Sequence, residues 1–178
     1  MDSNLKNISK YLSFILRHKP DDIGLELDES GWASIAELIE KSNKYNISRE
    51  ILDIVVETND KQRFAIDSKN NRIRANQGHS IDVELSLTAV EPPDYLLHGT
   101  ATRFEQSIMS NGLSKQKRHH VHLSASESVA KAVGSRYGKP VLLKVDSKAM
   151  HSQGHEFYKT ANNVWLVSEV PTKFIKKL

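Results

Sequence analysis

Residues 114 to 124 read SKQKRHHVHLS, which puts Lys115, Lys117, Arg118, His119, His120 and His122 on eight consecutive positions. No acid lies between Glu105 and Glu127. Imidazoles at this density could ligate a metal, and cations at this density could hold a nucleic acid or a phosphorylated small molecule. If residues 118–123 are extended, Arg118, His120 and His122 share one face, and His119, Val121 and Leu123 share the other. Val121 and Leu123 are the inward candidates, so the Arg-His-His face is expected to meet water or a polar cleft. A metal would need three ligands converging at ~2.0–2.1 Å. Same-face strand neighbours stand too far apart for that, and the chain has no HExxH and no second histidine pair to help. No metal is expected, and an anion-binding cleft is favoured over an exposed basic strand.

Three other places carry residues of the same chemistry. Arg17-His18 closes an apolar helical pattern, where a basic pair also suits the helix dipole. Arg63 precedes Phe64 in a strand-like run, where a charge also serves as an edge gatekeeper. His98-Gly99-Thr100 stands at a strand end. The glycine would let a ligand approach the backbone, and imidazole and hydroxyl could bond ribose hydroxyls. A plain strand-to-helix turn with Thr100 as N-cap accounts for the same three residues.

The elements that position these residues follow from periodicity and turn chemistry. Leu5, Ile8, Leu12, Ile15 and Leu16 recur at helical spacing until Pro20 stops the pattern. Ser34 with Glu37 reads as a capping box opening a second helix, and a third follows Ser48, burying Ile51, Leu52, Val55 and Val56. Runs 63–67 and 72–74 around SKNN form a β-hairpin. Helices closed by a hairpin suggest a winged-helix-like lobe over residues 1–80. Residues 81–93, with Val83, Leu85 and Leu87 alternating before Pro92-Pro93, read as a linking segment in which a strand is expected. From 94 to 178 short helices interleave with strands: a strand at 95–98, a helix at 101–111 ended by Gly112, and a strand at 121–123. A helix capped by Ser124 with Glu127 then runs to Tyr137-Gly138, followed by strands at 141–145 and 164–167. The fold class is α+β, and no dinucleotide glycine fingerprint is present.

Bulk properties bound the partners. The 178 residues carry a formal net charge of +3, with 38% hydrophobic and 26% charged residues and no cysteine. Residues 1–90 hold 12 basic against 15 acidic residues, and residues 91–178 hold 13 against 7, with six of the eight histidines. This asymmetry points to an anionic ligand for the second half. No apolar run approaches the ~20 residues of a membrane span, and MDSNLKNISK lacks the layout of a secretory signal. A cytoplasmic monomer with no membrane association is expected.

In order and spacing, LSFILRHKP, GLELDESGW, RFAID, LLHGT, GLSKQKRHHVHLS, AVGSRYGKPVLLKVD and NNVWLVSEVP together resemble the RNA 2′-phosphotransferase family across nearly the whole chain. The resemblance implies an RNA-facing N-terminal lobe and a C-terminal lobe of ADP-ribosyltransferase-like fold that holds NAD as co-substrate. It implies a catalytic group of Arg17, His18, Arg63 and Arg118. It also implies NAD contacts from His98, Gly99, Thr100, His122 and Ser124, with Arg136 in SRYG as a further contact to phosphate or adenosine. Where the family usually has Asn-Gly before Val-Trp, this chain has Asn162-Asn163. Asn tolerates left-handed backbone, so little consequence is expected.

The implied reaction moves an internal 2′-phosphate of a tRNA-like RNA to NAD. The phosphate displaces nicotinamide, and the neighbouring ribose hydroxyl then attacks phosphorus. The products are 2′-OH RNA, nicotinamide and ADP-ribose 1″,2″-cyclic phosphate. Three arginines supplied by both lobes would clamp the phosphate. His18 would move a proton or only bind phosphate, and the sequence leaves that choice open, as it does the roles of His119 and His120. Two rivals stand beside this reading. One is a mono-ADP-ribosyltransferase acting on nucleic-acid ends or protein, with Glu169 activating the acceptor. The other is a non-enzymatic winged-helix binder.

Overall fold

The computed structural model of the chain describes residues 3–178. It is a mixed helix and strand structure that separates into two compact units, Met1–Ser86 and Leu87–Leu178.

The first unit runs α1 (Ser3–Arg17), β1 (Ala33–Ser34), α2 (Ile35–Lys41), α3 (Arg49–Glu57), β2 (Phe64–Asp67) and β3 (Arg72–Ala75). Helix α1 exists because its apolar residues fall on one stripe: Ile8, Leu12, Ile15 and Leu16 are buried against Leu52, Val55, Phe64 and Ile73. It stops where Lys19 leaves helical geometry and Pro20 opens a short 3-10 turn, which Gly24 ends at φ 63°. Ser34 caps α2 by accepting from the Glu37 amide at 3.4 Å. The reciprocal half of the expected box is absent, because the Glu37 carboxylate goes to Lys41 instead, at 2.8 Å. Ser48 caps α3 through the Ile51 amide. The hairpin forms as expected, with Asn71 at φ 49° in its turn. The antiparallel sheet has the order β1-β3-β2. Its partners include Ala33↔Ile73, Ala65↔Arg74 and Phe64↔Ala75.

The linking strand expected around Val83–Leu87 does not form. Ser86 takes φ 50°, which breaks an extended run, and only Ala89 makes an isolated bridge, to Tyr158.

The second unit runs β4 (Leu96–Ala101), α4 (Thr102–Asn111), β5 (Leu113–Ser114), β6 (Val121–Leu123), α5 (Glu127–Gly134), β7 (Pro140–Val145), α6 (Ser147–Ser152), β8 (Tyr158–Lys159), β9 (Trp165–Val167), β10 (Glu169–Val170) and β11 (Ile175–Lys177). Its strands form the antiparallel groups β11-β7-β4, β6-β9-β8 and β10-β5. They enclose a core that includes Leu96, Leu123, Leu143, Met150, Phe157 and Trp165. Two expected caps move. Strand β4 continues through Thr100 to Ala101, which is the α4 N-cap without a side-chain bond, so Thr100 is buried on a strand instead of capping a helix. Helix α5 is capped by Ser126, whose hydroxyl accepts from the Val129 amide. Ser124 instead braces that cap, donating to the Ser126 carbonyl at 3.1 Å and accepting from its amide at 3.0 Å.

Candidate active site

In the first unit, Arg17 and His18 sit where α1 ends, and both are half-buried. The chain leaving β3 comes back to meet them. The Ser80 amide bonds the Arg17 carbonyl at 2.9 Å, and the Ser80 hydroxyl bonds His18 Nδ1 at 2.8 Å. Between these strand and helix ends Gly78, at φ 88°, lies against the Arg17 guanidinium: a Cβ there would stand 3.6 Å from one of its nitrogens. The Nε and one terminal nitrogen of Arg17 are shielded from water.

Arg63 is held from two sides. Its carbonyl accepts from the Asn76 amide at 2.8 Å, continuing the β2–β3 ladder by one rung. Its guanidinium donates to Asn59 Oδ1 at 3.1 Å, and Asn59 in turn donates to Ser9 of α1 at 3.0 Å. Residues 76–80 therefore tie Arg63 at one end to Arg17 and His18 at the other. Asn59, Asn76, Gly78 and Ser80 were not among the expected site residues. The compact polar run ANQGHS after the hairpin was the available signal.

In the second unit, His98, His122 and Arg118 form one group. Backbone bonds between Leu97 and Ser124, at 2.7 and 2.8 Å, pin β4 to the end of β6. This brings His98 Nδ1 to 3.2 Å from the His122 carbonyl. A carbonyl only accepts, so Nδ1 carries the proton and Nε2 of a neutral His98 is left as an acceptor. Burial, together with the nearby Arg118 charge, lowers the His98 pKa below its ordinary value, while the bond to the His122 carbonyl opposes the shift. Arg118 donates to Nδ1 of His122 at 3.4 Å, a long contact.

Arg118 does not reach His122 by strand alternation. Residues 115–118 make a turn, closed by the Arg118 amide on the Lys115 carbonyl and helped by Gln116 at φ 54°. The strand covers only Val121–Leu123, both ends buried as expected. His120 consequently leaves the expected face and packs edge-on against Tyr158 at 5.5 Å.

Gly99 is required by a structural neighbour. A Cβ there would collide with the Ala130 carbonyl, and one at Gly134 would press on the Thr100 backbone, so β4 and α5 pack backbone against backbone. Arg136 is exposed in the 3-10 turn Ser135–Tyr137. Among the described residues no hydrogen bond or ion pair joins it to His98, Arg118 or His122. Asn163 takes φ 59°, the left-handed geometry that its place in the Asn162-Asn163 pair suggested.

Guanidinium forks match phosphate oxygens in pairs, so groups of this kind suit a phosphorylated ligand. Residues 3–169 match the family described as "RNA 2'-phosphotransferase, Tpt1 / KptA family". A protein of Flavobacterium johnsoniae is 53% identical over 179 residues, covering 99% of this chain and 98% of its own. One from Hahella chejuensis is 50% identical over 180 residues, covering 100% and 97%. One from Acaryochloris marina is 51% identical over 176 residues, covering 98% and 97%. All three carry the name "Probable RNA 2'-phosphotransferase". The chain belongs to the RNA 2′-phosphotransferase family and is a transferase. No helix among the described residues is long and apolar enough to cross a membrane.

Proposed function

We propose that this chain removes an internal 2′-phosphate from RNA, with NAD as the second substrate that takes the phosphate away. The observation that carries the reading is the tie of Arg17, His18 and Arg63 to one short segment, residues 76–80. In this reading the first unit, with its helices and β1-β3-β2 sheet, is a winged-helix-like lobe that receives the RNA. The second unit is an ADP-ribosyltransferase-like lobe that receives NAD.

The residues fit these substrates on chemical grounds. A phosphate monoester offers oxygens that a guanidinium fork grips in pairs; Arg17 and Arg63 supply two such forks in the first unit, and Arg118 supplies one in the second. The Asn59 bond and the Gly78 contact orient two of them before substrate arrives, which is where electrostatic stabilisation of a transferring phosphate is most effective. His18, set by Ser80, is placed to accept the proton of an attacking hydroxyl or return one to the RNA oxygen that leaves. His98, neutral with Nε2 as acceptor, suits a ribose hydroxyl donor, and the lowered pKa keeps it in that form. His122 and Ser124 shape the same side through their links to Arg118 and Leu97.

NAD supplies a ribose carbon bonded to a good leaving group and, beside it, a hydroxyl. Attack of the 2′-phosphate on that carbon would release nicotinamide and leave the RNA joined to ADP-ribose through the phosphate; attack of the hydroxyl on phosphorus would then expel 2′-OH RNA and close a cyclic phosphate of ADP-ribose. Glu169, the acid a stable-conjugate transferase would use, is exposed on β10 opposite Ser114. Incubation with NAD and a 2′-phosphorylated oligonucleotide tests the proposal. It expects nicotinamide release together with loss of the 2′-phosphate. A persistent RNA conjugate would replace it with simple ADP-ribosylation, and absence of nicotinamide release would refute it.

A further inference from the structure

Trp32 stands beside the β2–β3 hairpin with two guanidiniums over its ring, Arg72 at 4.8 Å and Arg74 at 4.6 Å from the centroid. The two arginines differ in how their charge is met. Arg72 pairs with Asp67 at 2.9 Å and with Asp28 at 3.2 Å. Asp67 is held ionised, its pKa pushed down to about 2 by Asn70 and by Arg72 itself. Arg74 has no ion pair among the described residues, and its Nε is buried without a hydrogen-bond partner. Desolvation lowers its pKa, partly offset by the charge of Asp28, yet a guanidinium stays charged in any physiological range.

A half-buried cation with no counter-ion is unfavourable unless an anion completes it. Stacking on Trp32 also fixes the plane of the fork, so little freedom remains to be lost on binding. The position along the sheet is informative too. Arg74 pairs with Ala65, and Asn76, which bonds the Arg63 carbonyl, lies two residues further along the same chain. Two residues of extended strand span about 7 Å. Ile73 and Ala75, which alternate with Arg74, are buried in the core, so Arg72 and Arg74 leave the sheet on its outer face.

We infer that the outer face of this hairpin is a contact for the RNA backbone, with Arg74, stacked on Trp32, gripping a phosphodiester that neighbours the 2′-phosphate served by Arg63. The inference rests on the proposed RNA substrate and adds a positioning residue to it. A purely structural Arg74 would serve only to cover Trp32.

Fluorescence anisotropy across a salt series separates the two, using a labelled single-stranded oligoribonucleotide with one internal 2′-phosphate and the same strand without it. Arg74→Gln is expected to weaken binding of both strands about tenfold. The slope of log K against log salt should become shallower by about 0.7, the value of one phosphate contact on a single strand. Arg74→Lys is expected to keep the wild-type slope while losing part of the affinity, and it serves if the glutamine variant folds poorly. Wild-type affinity and slope in Arg74→Gln, with or without a lower melting temperature, would overturn the inference. So would failure of the wild-type protein to bind either strand. Binding is read without NAD, so a chain that binds RNA but releases no nicotinamide would refute the proposed reaction and leave the slopes to decide this contact.

Discussion

Asn59 is where stability and the candidate chemistry meet, and replacing it with alanine should damage both. The side chain is 3% exposed and makes three hydrogen bonds: to Ser9 at 3.0 Å, from the Lys61 amide at 3.2 Å and from Arg63 at 3.1 Å. At about 1 kcal/mol net for each, the loss is roughly 2–4 kcal/mol. For a chain of this size that lowers the melting temperature by roughly 4–16 °C. The catalytic effect comes through Arg63, whose guanidinium loses its tether. A displacement of about 1 Å from the reactive geometry is worth about 10² in rate. Single-turnover phosphate removal, well below the melting transition, should therefore fall about a hundredfold with the KM for NAD unchanged. Adding Asn59→Ala to Arg63→Ala should cause no further rate loss, because the asparagine acts only through that arginine. A variant that melts early but reacts at the wild-type rate would refute the positioning argument. Additive losses in the double variant would refute it as well.

Gly99→Ala should destabilise the second unit by about 1–3 kcal/mol or more, since the new methyl meets the Ala130 carbonyl. Calorimetry showing wild-type stability with NAD binding alone impaired would return Gly99 to the ligand role. Stability should decline on acidification below about pH 6.5. There the unfolded chain takes up protons that folded His98 and His120, both with lowered pKa values, resist. His98→Gln should flatten that slope in denaturant titrations run at stepped pH without abolishing it, because His120 remains; an unchanged slope would contradict burial of a neutral His98. Arg118→Lys keeps the charge but loses the fork, so it should recover only part of the rate lost in Arg118→Ala. Full recovery in single-turnover assays would argue for a point charge.

Local signals carried much of the architecture. The apolar stripe of α1, the Ser34 and Ser48 caps and the 64–75 hairpin were legible because each depends on neighbours within a few residues. Strands β1, β5, β8 and β10 span two residues each, too few for any period to show. The true cap of α5 was missed by two positions because Ser124 and Ser126 offer the same hydroxyl, and only the chain direction after β6 decides between them. The residue types of the candidate groups were visible in Arg17-His18, Arg63 and the 115–122 cluster. Their supports were not: Asn59 meets Ser9 across 50 residues and Ser80 meets His18 across 62. The packing demand on Gly99 was hidden for the same reason, since the atom a Cβ would meet belongs to residue 130.

In the proposed reaction guanidinium groups handle the 2′-phosphate. The most direct test is the single-turnover rate of label transfer from a 2′-[³²P]phosphorylated RNA to NAD in Arg17→Ala and Arg63→Ala, at saturating NAD. Losses of about 10³–10⁵ are predicted, with folding and NAD affinity retained. Transfer in either variant at close to the wild-type rate would contradict the account.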